Sequence, residues 1–207
     1  MGLIQIGASI LTSLLIGALT RGTLRTYLLL ASSVLAVYWF QPALPLRSFD
    51  FWLPSLSLAL TILTWLVISP SGVWRLRQNL TGLSIILGLV TLIVFSRYLF
   101  PGPIFTATTP PQIFQYLIFL LLAGLALSAF GWMSRRHTWT ISGVILLLIL
   151  ILVVLKTPAL SLQTSIFVRT LANRPIENAA FTDLRWLGFS YIAFRLIHVL
   201  RDRQMGR

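Results

Sequence analysis

The residues best suited to chemistry lie near the C-terminal end, inside an otherwise apolar stretch. Tyr191, Arg195, His198 and Asp202 follow Gly188 at steps of three or four residues. Side chains at this spacing share one face of a helix. A charge inside a bilayer costs at least a few kcal/mol, so we expect such a face to turn toward other helices or toward water.

Two interpretations of this polar face stay open. In the functional one, the face forms a wall of a binding site, and His198 or Arg195 contacts a substrate. In the structural one, Arg195 and Arg201 extend to the membrane surface, and Asp202 pairs with His198 or Arg195. We prefer the structural interpretation because His198 is only about one turn from the expected helix end.

Few other side chains in the sequence could take part in catalysis. The chain has four acidic residues, two histidines and no cysteine, so paired carboxylates and thiolate chemistry have little or no basis. The sequence contains no HExxH, no GxSxG, no phosphate-binding loop and no dinucleotide-binding fingerprint. We therefore assign no catalytic residue, no metal ligand and no cofactor.

A second pattern overlaps the polar face and carries a family resemblance. It consists of Leu187, Gly188, Ser190, Phe194, Asp202 and Gly206. This stretch resembles a segment of the membrane-bound O-acyltransferase family, with Leu-Gly-Ile-Ser-Phe/Tyr, a Phe four residues after the Ser, and a later Asp-x-x-x-Gly. Two features depart from that pattern: Arg195 replaces the usual glutamine, and Gln204-Met205 replaces Tyr-Arg before the final glycine. The match covers about one tenth of the chain.

The resemblance implies an enzyme that moves an acyl group onto a hydroxyl acceptor through a tunnel crossing the membrane. The family's essential histidine lies well beyond this motif, and His198 does not correspond to it, so no catalytic residue is carried over. The chain thus looks like the N-terminal membrane half of an O-acyltransferase, inactive without its C-terminal half. The alternative is a non-enzymatic membrane scaffold or an accessory subunit of a membrane complex.

The elements that must position these residues are membrane-spanning helices. The chain is 57% hydrophobic and 10% charged, whereas soluble domains average about 45–50% apolar and about 25% charged residues. Apolar runs approach the roughly 20 residues that cross a bilayer. We predict an all-α fold, a polytopic transmembrane bundle forming one domain over residues 1–207. Its seven predicted spans are 3–20, 26–40, 52–69, 82–100, 112–132, 139–155 and 184–200.

Charge asymmetry predicts the orientation. The odd-numbered loops carry the arginine pairs Arg21 with Arg25, Arg75 with Arg77, and Arg135 with Arg136. The second loop carries Arg47 with Asp50, and the fourth loop, over residues 101–111, carries almost no charge. The segment 156–183 carries Lys156, Arg169 and Arg174 together with Glu177 and Asp183. The positive-inside rule therefore predicts an N-terminus outside and a C-terminus in the cytoplasm, in a bacterial inner (plasma) membrane.

The net charge of +12 does not indicate nucleic acid, because the cations stand in pairs between apolar runs and no nucleic-acid motif is present. The expected partners are membrane lipids, with an acyl donor and a hydroxyl acceptor for the full-length protein.

Two further features refine the span assignments. All ten prolines fall in loops or at span ends, and Pro54 alone lies within a span, in its expected first turn. The extracytoplasmic segment 156–183 contains side chains at helical spacing, namely Leu162, Ile166, Phe167, Thr170 and Leu171. They predict either a short helix on the outer membrane surface or an ordered connection outside the membrane.

Overall fold

The computed structural model describes residues 3–69, 77–100, 102–136 and 139–206, and Arg75 lies outside this part of the chain. The described residues form eight α-helices and one short 3₁₀ turn, Phe181–Leu184, without a β-strand. The helices are α1 Leu3–Leu19, α2 Gly22–Trp39, α3 Phe49–Ile68, α4 Arg77–Leu99, α5 Ile113–Arg136, α6 Trp139–Lys156, α7 Pro158–Leu171 and α8 Phe189–Gln204. The predicted all-α fold is confirmed.

Four helices are long and apolar enough to cross a membrane, and each overlaps a predicted span. They are α3 in full, α4 from Asn79, α5 up to Met133, and α6 in full. Helix α1 is apolar but shorter, over Gln5–Leu19. The side chains exposed on these helices are largely leucine, isoleucine and phenylalanine, as expected where a helix surface faces lipid rather than water.

Several helix boundaries differ from the predicted spans by three to five residues, and two of these differences have a local structural cause. Helix α3 begins at Phe49, so Pro54 lies in its second turn and not in the first turn. Proline there removes the amide that would donate to the Asp50 carbonyl. Helix α8 begins at Phe189 instead of residue 184, because Gly188 takes a left-handed conformation that ends the preceding extended segment.

Helix α3 lies at the centre of the bundle and joins two buried clusters. The first cluster brings together side chains of α2, α3, α4 and α5, with Tyr38, Phe51, Ile93 and Tyr116 at its centre. The second joins α3, α6 and α8 through Leu63, Val67, Val144, Leu148, Phe189, Ala193 and Leu200. In α3, 44% of the spanning window is buried, against 6% in α5. Helix α3 therefore supports both halves of the molecule.

Helix α8 runs antiparallel to α6 and parallel to α3. Gln204 at the end of α8 donates to Ser142 near the start of α6, at 2.7 Å. Trp186, just before α8, donates instead to Ser57 near the start of α3, at 2.8 Å. Helix α8 thus extends along the bundle from the end where α3 begins.

Helix α7 confirms that the segment 156–183 contains a short helix. It follows α6 directly, and the residues after it lie beside Ser48, which precedes α3. Both ends of α7 are therefore at the same end of the bundle. The predicted apolar face of α7 is largely exposed, with Phe167 and Leu171 at 63% and 70%.

Candidate functional site

The polar residues predicted to share a helix face do so on α8. Arg195 Nε lies 3.3 Å from the Tyr191 hydroxyl, and its guanidinium carbon is 5.6 Å from the centre of the Tyr191 ring. One turn further on, His198 Nε2 lies 3.8 Å from Asp202 Oδ2. The contact of Asp202 with His198 is one of the two pairings predicted for Asp202, and the Tyr191–Arg195 contact is a further i, i+4 pair.

This polar face points away from the rest of the chain. The side chain of His198 is 76% exposed, and Tyr191 and Phe194 are exposed to a similar degree. The opposite face of α8, with Phe189, Ala193 and Leu200, packs against α3 and α6. Helix α8 is therefore amphipathic, and its apolar face occupies the space between α3 and α6.

The segment that leads into α8 is held by one buried amide side chain. Gln41, which follows α2, donates through Nε2 to the Arg185 carbonyl at 2.8 Å. Its Oε1 accepts a hydrogen bond from the Leu187 amide at 3.2 Å. The two ends of one side chain thus fix the backbone of residues 185–187, immediately before Gly188. Sequence reasoning missed Gln41, since nothing nearby in the chain marks it.

Aromatic packing secures the same segment from the other side. Trp186 donates to the buried Ser57 hydroxyl, and its ring stacks on Phe189 with centroids 4.1 Å apart. Gly188 has φ +71°, a value that costs about 1–2 kcal/mol for residues with a Cβ. These contacts give the Leu187-Gly188 pair a structural role at the start of α8.

The remaining motif residues are spread along α8 and do not form a cluster. Ser190 is half-buried, Phe194 is exposed, and Asp202 is half-buried beside His198. Gly206 follows the helix with φ +72°. Because about 1.5 Å of rise separates successive helical residues, Ser190 and Asp202 are roughly 18 Å apart along the axis. The motif does not converge on one reactive point.

A buried ionic cluster joins α7 to the 3₁₀ turn, and sequence reasoning missed it. Asp183 Oδ2 accepts hydrogen bonds from Arg169 Nε at 2.7 Å and from Ser165 Oγ at 2.6 Å. Ser161, one turn earlier on α7, donates to the Phe181 carbonyl at 2.9 Å. Ser161, Ser165 and Arg169 follow one another at intervals of four residues, which places them on one face of α7. This polar stripe, opposite the apolar face of α7, is the sequence signal that could have predicted the cluster.

The environment of Asp183 favours its ionised form. Burial of the carboxyl group alone raises its pKa, but hydrogen bonds from Arg169, Ser165 and the Ala180 amide, together with the Arg169 charge, bring the pKa below its ordinary value. Its second oxygen, Oδ1, is buried and has no hydrogen-bond partner. A buried carboxylate with one cationic partner fits a structural link rather than a proton-transfer group.

A second buried carboxylate orders the connection between α4 and α5. Asp50 in the first turn of α3 is fully buried and accepts hydrogen bonds from the amide and hydroxyl of Thr108. Ser48 Oγ donates to the Thr109 carbonyl at 3.2 Å, and Arg97 Nη1 donates to the Pro110 carbonyl at 2.6 Å. These bonds hold the proline-rich connection against the start of α3.

An apolar groove of about 610 Å³ lies between α2, α3, α4 and α5. Pockets of about 300–1,000 Å³ are typical of small-molecule sites. One end of the groove lies at Tyr38 and Ser55, whose hydroxyl oxygens are 2.8 Å apart. The other end lies at Trp65, Asn79 and Trp132. Along α4, from Asn79 to Val90, the groove spans roughly 16 Å at about 1.5 Å per residue.

The lining of the groove suits a long apolar ligand. Small residues widen it, namely Ala59, Ala123, Gly124 and Gly131. No charged side chain stands among its described lining residues, and Tyr38 is their one titratable group. This chemistry binds hydrocarbon but offers no acid or base for catalysis.

In the part of the chain that the structure describes, no three His, Asp or Glu side chains come together. The polar face of α8 and the apolar groove are built from different helices.

No family model, no curated protein and no solved structure matches this chain.

Proposed function

We propose that this chain is the N-terminal membrane half of an O-acyltransferase, and that a second half supplies the catalytic histidine. The observation that carries the proposal is the exposed polar face of α8. If α8 crosses the bilayer, an exposed Arg195 side chain that faced lipid near the helix centre would cost about 2.5–3.5 kcal/mol on insertion scales. A second half that covers this face would remove that cost.

The proposal includes a seven-span topology with the N-terminus outside and the C-terminus in the cytoplasm of a bacterial inner membrane. In it, α1 to α6 and α8 cross the bilayer, and α7 lies at the outer surface. The opposite directions of α6 and α8 support this arrangement. The exposed apolar side chains of α7, with Phe167 at 63%, support its contact with lipid.

The apolar groove supports an acyl chain as ligand. It is about 610 Å³ in volume and is lined mainly by α3, α4 and α5, which are of spanning length. One end lies at the Tyr38 and Ser55 hydroxyl groups. In the proposed full-length protein, the groove holds the acyl chain of the donor, and the hydroxyl acceptor reaches the reactive carbonyl in the second half.

The test is co-expression of this chain with the coding sequence that follows the Arg207 codon, or with a neighbouring gene that encodes a membrane histidine. We expect a stable complex with acyl-transfer activity, and no activity from this chain alone. Phe194→Asp on the α8 face should break the complex. Phe167→Asp is the matched control, because both phenylalanines are about equally exposed. Acyl transfer by this chain alone would contradict the proposal.

An accessory subunit of a membrane complex is the second candidate, favoured by the uncharged lining of the groove. The same face of α8 would then bind a different membrane protein. Co-purification with a partner that has no acyltransferase histidine, together with loss of that partner in Phe194→Asp, would support this candidate over the enzyme.

A further inference from the structure

A second concavity, separate from the apolar groove, lies at the end of the bundle where α3 and α5 begin. It encloses about 490 Å³ and is lined by three arginines, Arg47, Arg97 and Arg174. Trp52, Gln112 and Gln115 complete its principal surfaces. We refer to this feature as the arginine pocket. It brings together cations from three separate parts of the chain.

Among the described residues, no acidic side chain forms an ion pair with these three arginines. No acid stands among the described residues that line the pocket. Asp183 pairs with Arg169, and Asp202 lies 3.8 Å from the imidazole of His198. Asp50, close to Arg47 in sequence, instead accepts hydrogen bonds from Thr108. Three like charges around one concavity repel each other and create a positive potential that attracts anions.

The walls of the pocket are held in place by the contacts described above. The guanidinium of Arg97 is fixed by its bond to the Pro110 carbonyl, 2.6 Å long. The backbone amide of Arg174 donates to the Arg169 carbonyl at 2.9 Å, and Arg169 is itself fixed by Asp183. The Arg97 guanidinium and the Arg174 backbone are therefore ordered before a ligand enters the pocket, which lowers the entropy cost of binding.

We propose that the arginine pocket binds a phosphate oxyanion. Guanidinium groups bind phosphate through paired, charge-assisted hydrogen bonds, and the Gln112 and Gln115 amides supply further donors. The half-buried Trp52 offers an apolar surface for the group that carries the phosphate. The phosphate belongs either to the headgroup of an anionic phospholipid or to a soluble phosphate.

The orientation proposed above gives a second argument for a ligand. In that orientation the arginine pocket lies on the outer side, where the positive-inside bias disfavours arginine. Three arginines without acidic partners on that side are unexpected if they serve only to orient the chain. An anion bound between them explains their position.

The experiment measures the thermal stability of the full chain in detergent at constant ionic strength. The titrants are short-chain phosphatidylglycerol and, separately, inorganic phosphate. We expect a saturable rise in the unfolding temperature. In Arg47→Gln/Arg174→Gln the half-saturating concentration should increase at least tenfold. The matched control, Arg201→Gln/Arg203→Gln, removes the same charge at the other end of the bundle and should leave that concentration unchanged.

The two titrants distinguish the sources of the phosphate. A response to phosphatidylglycerol alone assigns the pocket to a lipid headgroup, and a response to both assigns it to phosphate in general. The proposal is overturned if neither titrant stabilises the chain, or if both double variants weaken binding equally. If Arg47→Gln/Arg174→Gln does not fold, the single variant Arg174→Gln tests the proposal. The Arg174 side chain is exposed, and the hydrogen bond from the Arg174 backbone amide to the Arg169 carbonyl remains in this variant. Unchanged binding in that variant also overturns the proposal.

Discussion

Arg169 and Asp183 form a buried ion pair, with 2.7 Å between Nε and Oδ2 and side-chain exposures of 7% and 1%. Arg169 also donates to the Pro175 carbonyl at 3.2 Å. The pair therefore ties α7 to the 3₁₀ turn and to the loop between them. Through that loop it also fixes the position of Arg174 in the arginine pocket.

Replacing one partner of this pair should destabilise the protein strongly. Arg169→Met leaves the Asp183 carboxylate buried without its cation, a situation that costs about 3–5 kcal/mol in other proteins. Denaturant unfolding in detergent micelles measures the loss. The double variant Arg169→Met/Asp183→Leu should lose much less, because no charge is left buried. Equal losses in the single and double variants would show that the ion pair is not what holds this region together.

The same carboxylate should make stability depend on pH in the acidic range. The pKa of Asp183 is lower in the folded protein than its ordinary value, so the folded state favours the ionised form. This stabilisation is present above the unfolded pKa of about 3.9 and is lost as the pH falls through the folded pKa. Wild type should therefore be more stable than Asp183→Asn near neutral pH, and the difference should shrink below about pH 4.

Gln41 should control the order of the segment before α8. Gln41→Leu removes the hydrogen bonds to the Arg185 carbonyl and the Leu187 amide, at about 0.5–1.5 kcal/mol for each bond lost. Hydrogen exchange at the Leu187 amide should become faster, while exchange in α5 stays unchanged. Gln163→Leu is the control, since Gln163 is exposed on α7. If exchange at Leu187 is as slow as in wild type, Gln41 does not hold the segment.

The helices and the pairs on α8 could be predicted from the sequence because both are local. Apolar runs of spanning length mark the helices, and four-residue steps bring Tyr191 to Arg195 and His198 to Asp202. The direction of the polar face is a tertiary property. It is set by the packing of Phe189, Ala193 and Leu200 against α3 and α6, which no local pattern reveals.

The features that sequence reasoning missed join distant parts of the chain. Gln41 contacts residues 185–187, and Asp50 contacts Thr108. Each of these side chains is unremarkable in its own neighbourhood, and its role depends on which loops meet after the helices pack. The apolar groove also requires four helices at once, and its lining residues follow the same apolar pattern as the lipid-facing ones.

A bulky side chain in the apolar groove should block the binding of an acyl chain without destabilising the fold. A Cβ added at Gly124 meets nothing within 4 Å, and Gly124 lines the groove. The aromatic ring in Gly124→Phe should therefore extend into the open space between α3 and α5. Gly143→Phe on α6 is the matched control, since Gly143 is equally unobstructed but does not line the groove. Photo-crosslinking with a diazirine-bearing fatty acid should label wild type and Gly143→Phe on α3, α4 or α5. In Gly124→Phe we expect labelling at least fivefold weaker with an unchanged unfolding temperature, whereas equal labelling of all three proteins would show that acyl chains bind elsewhere.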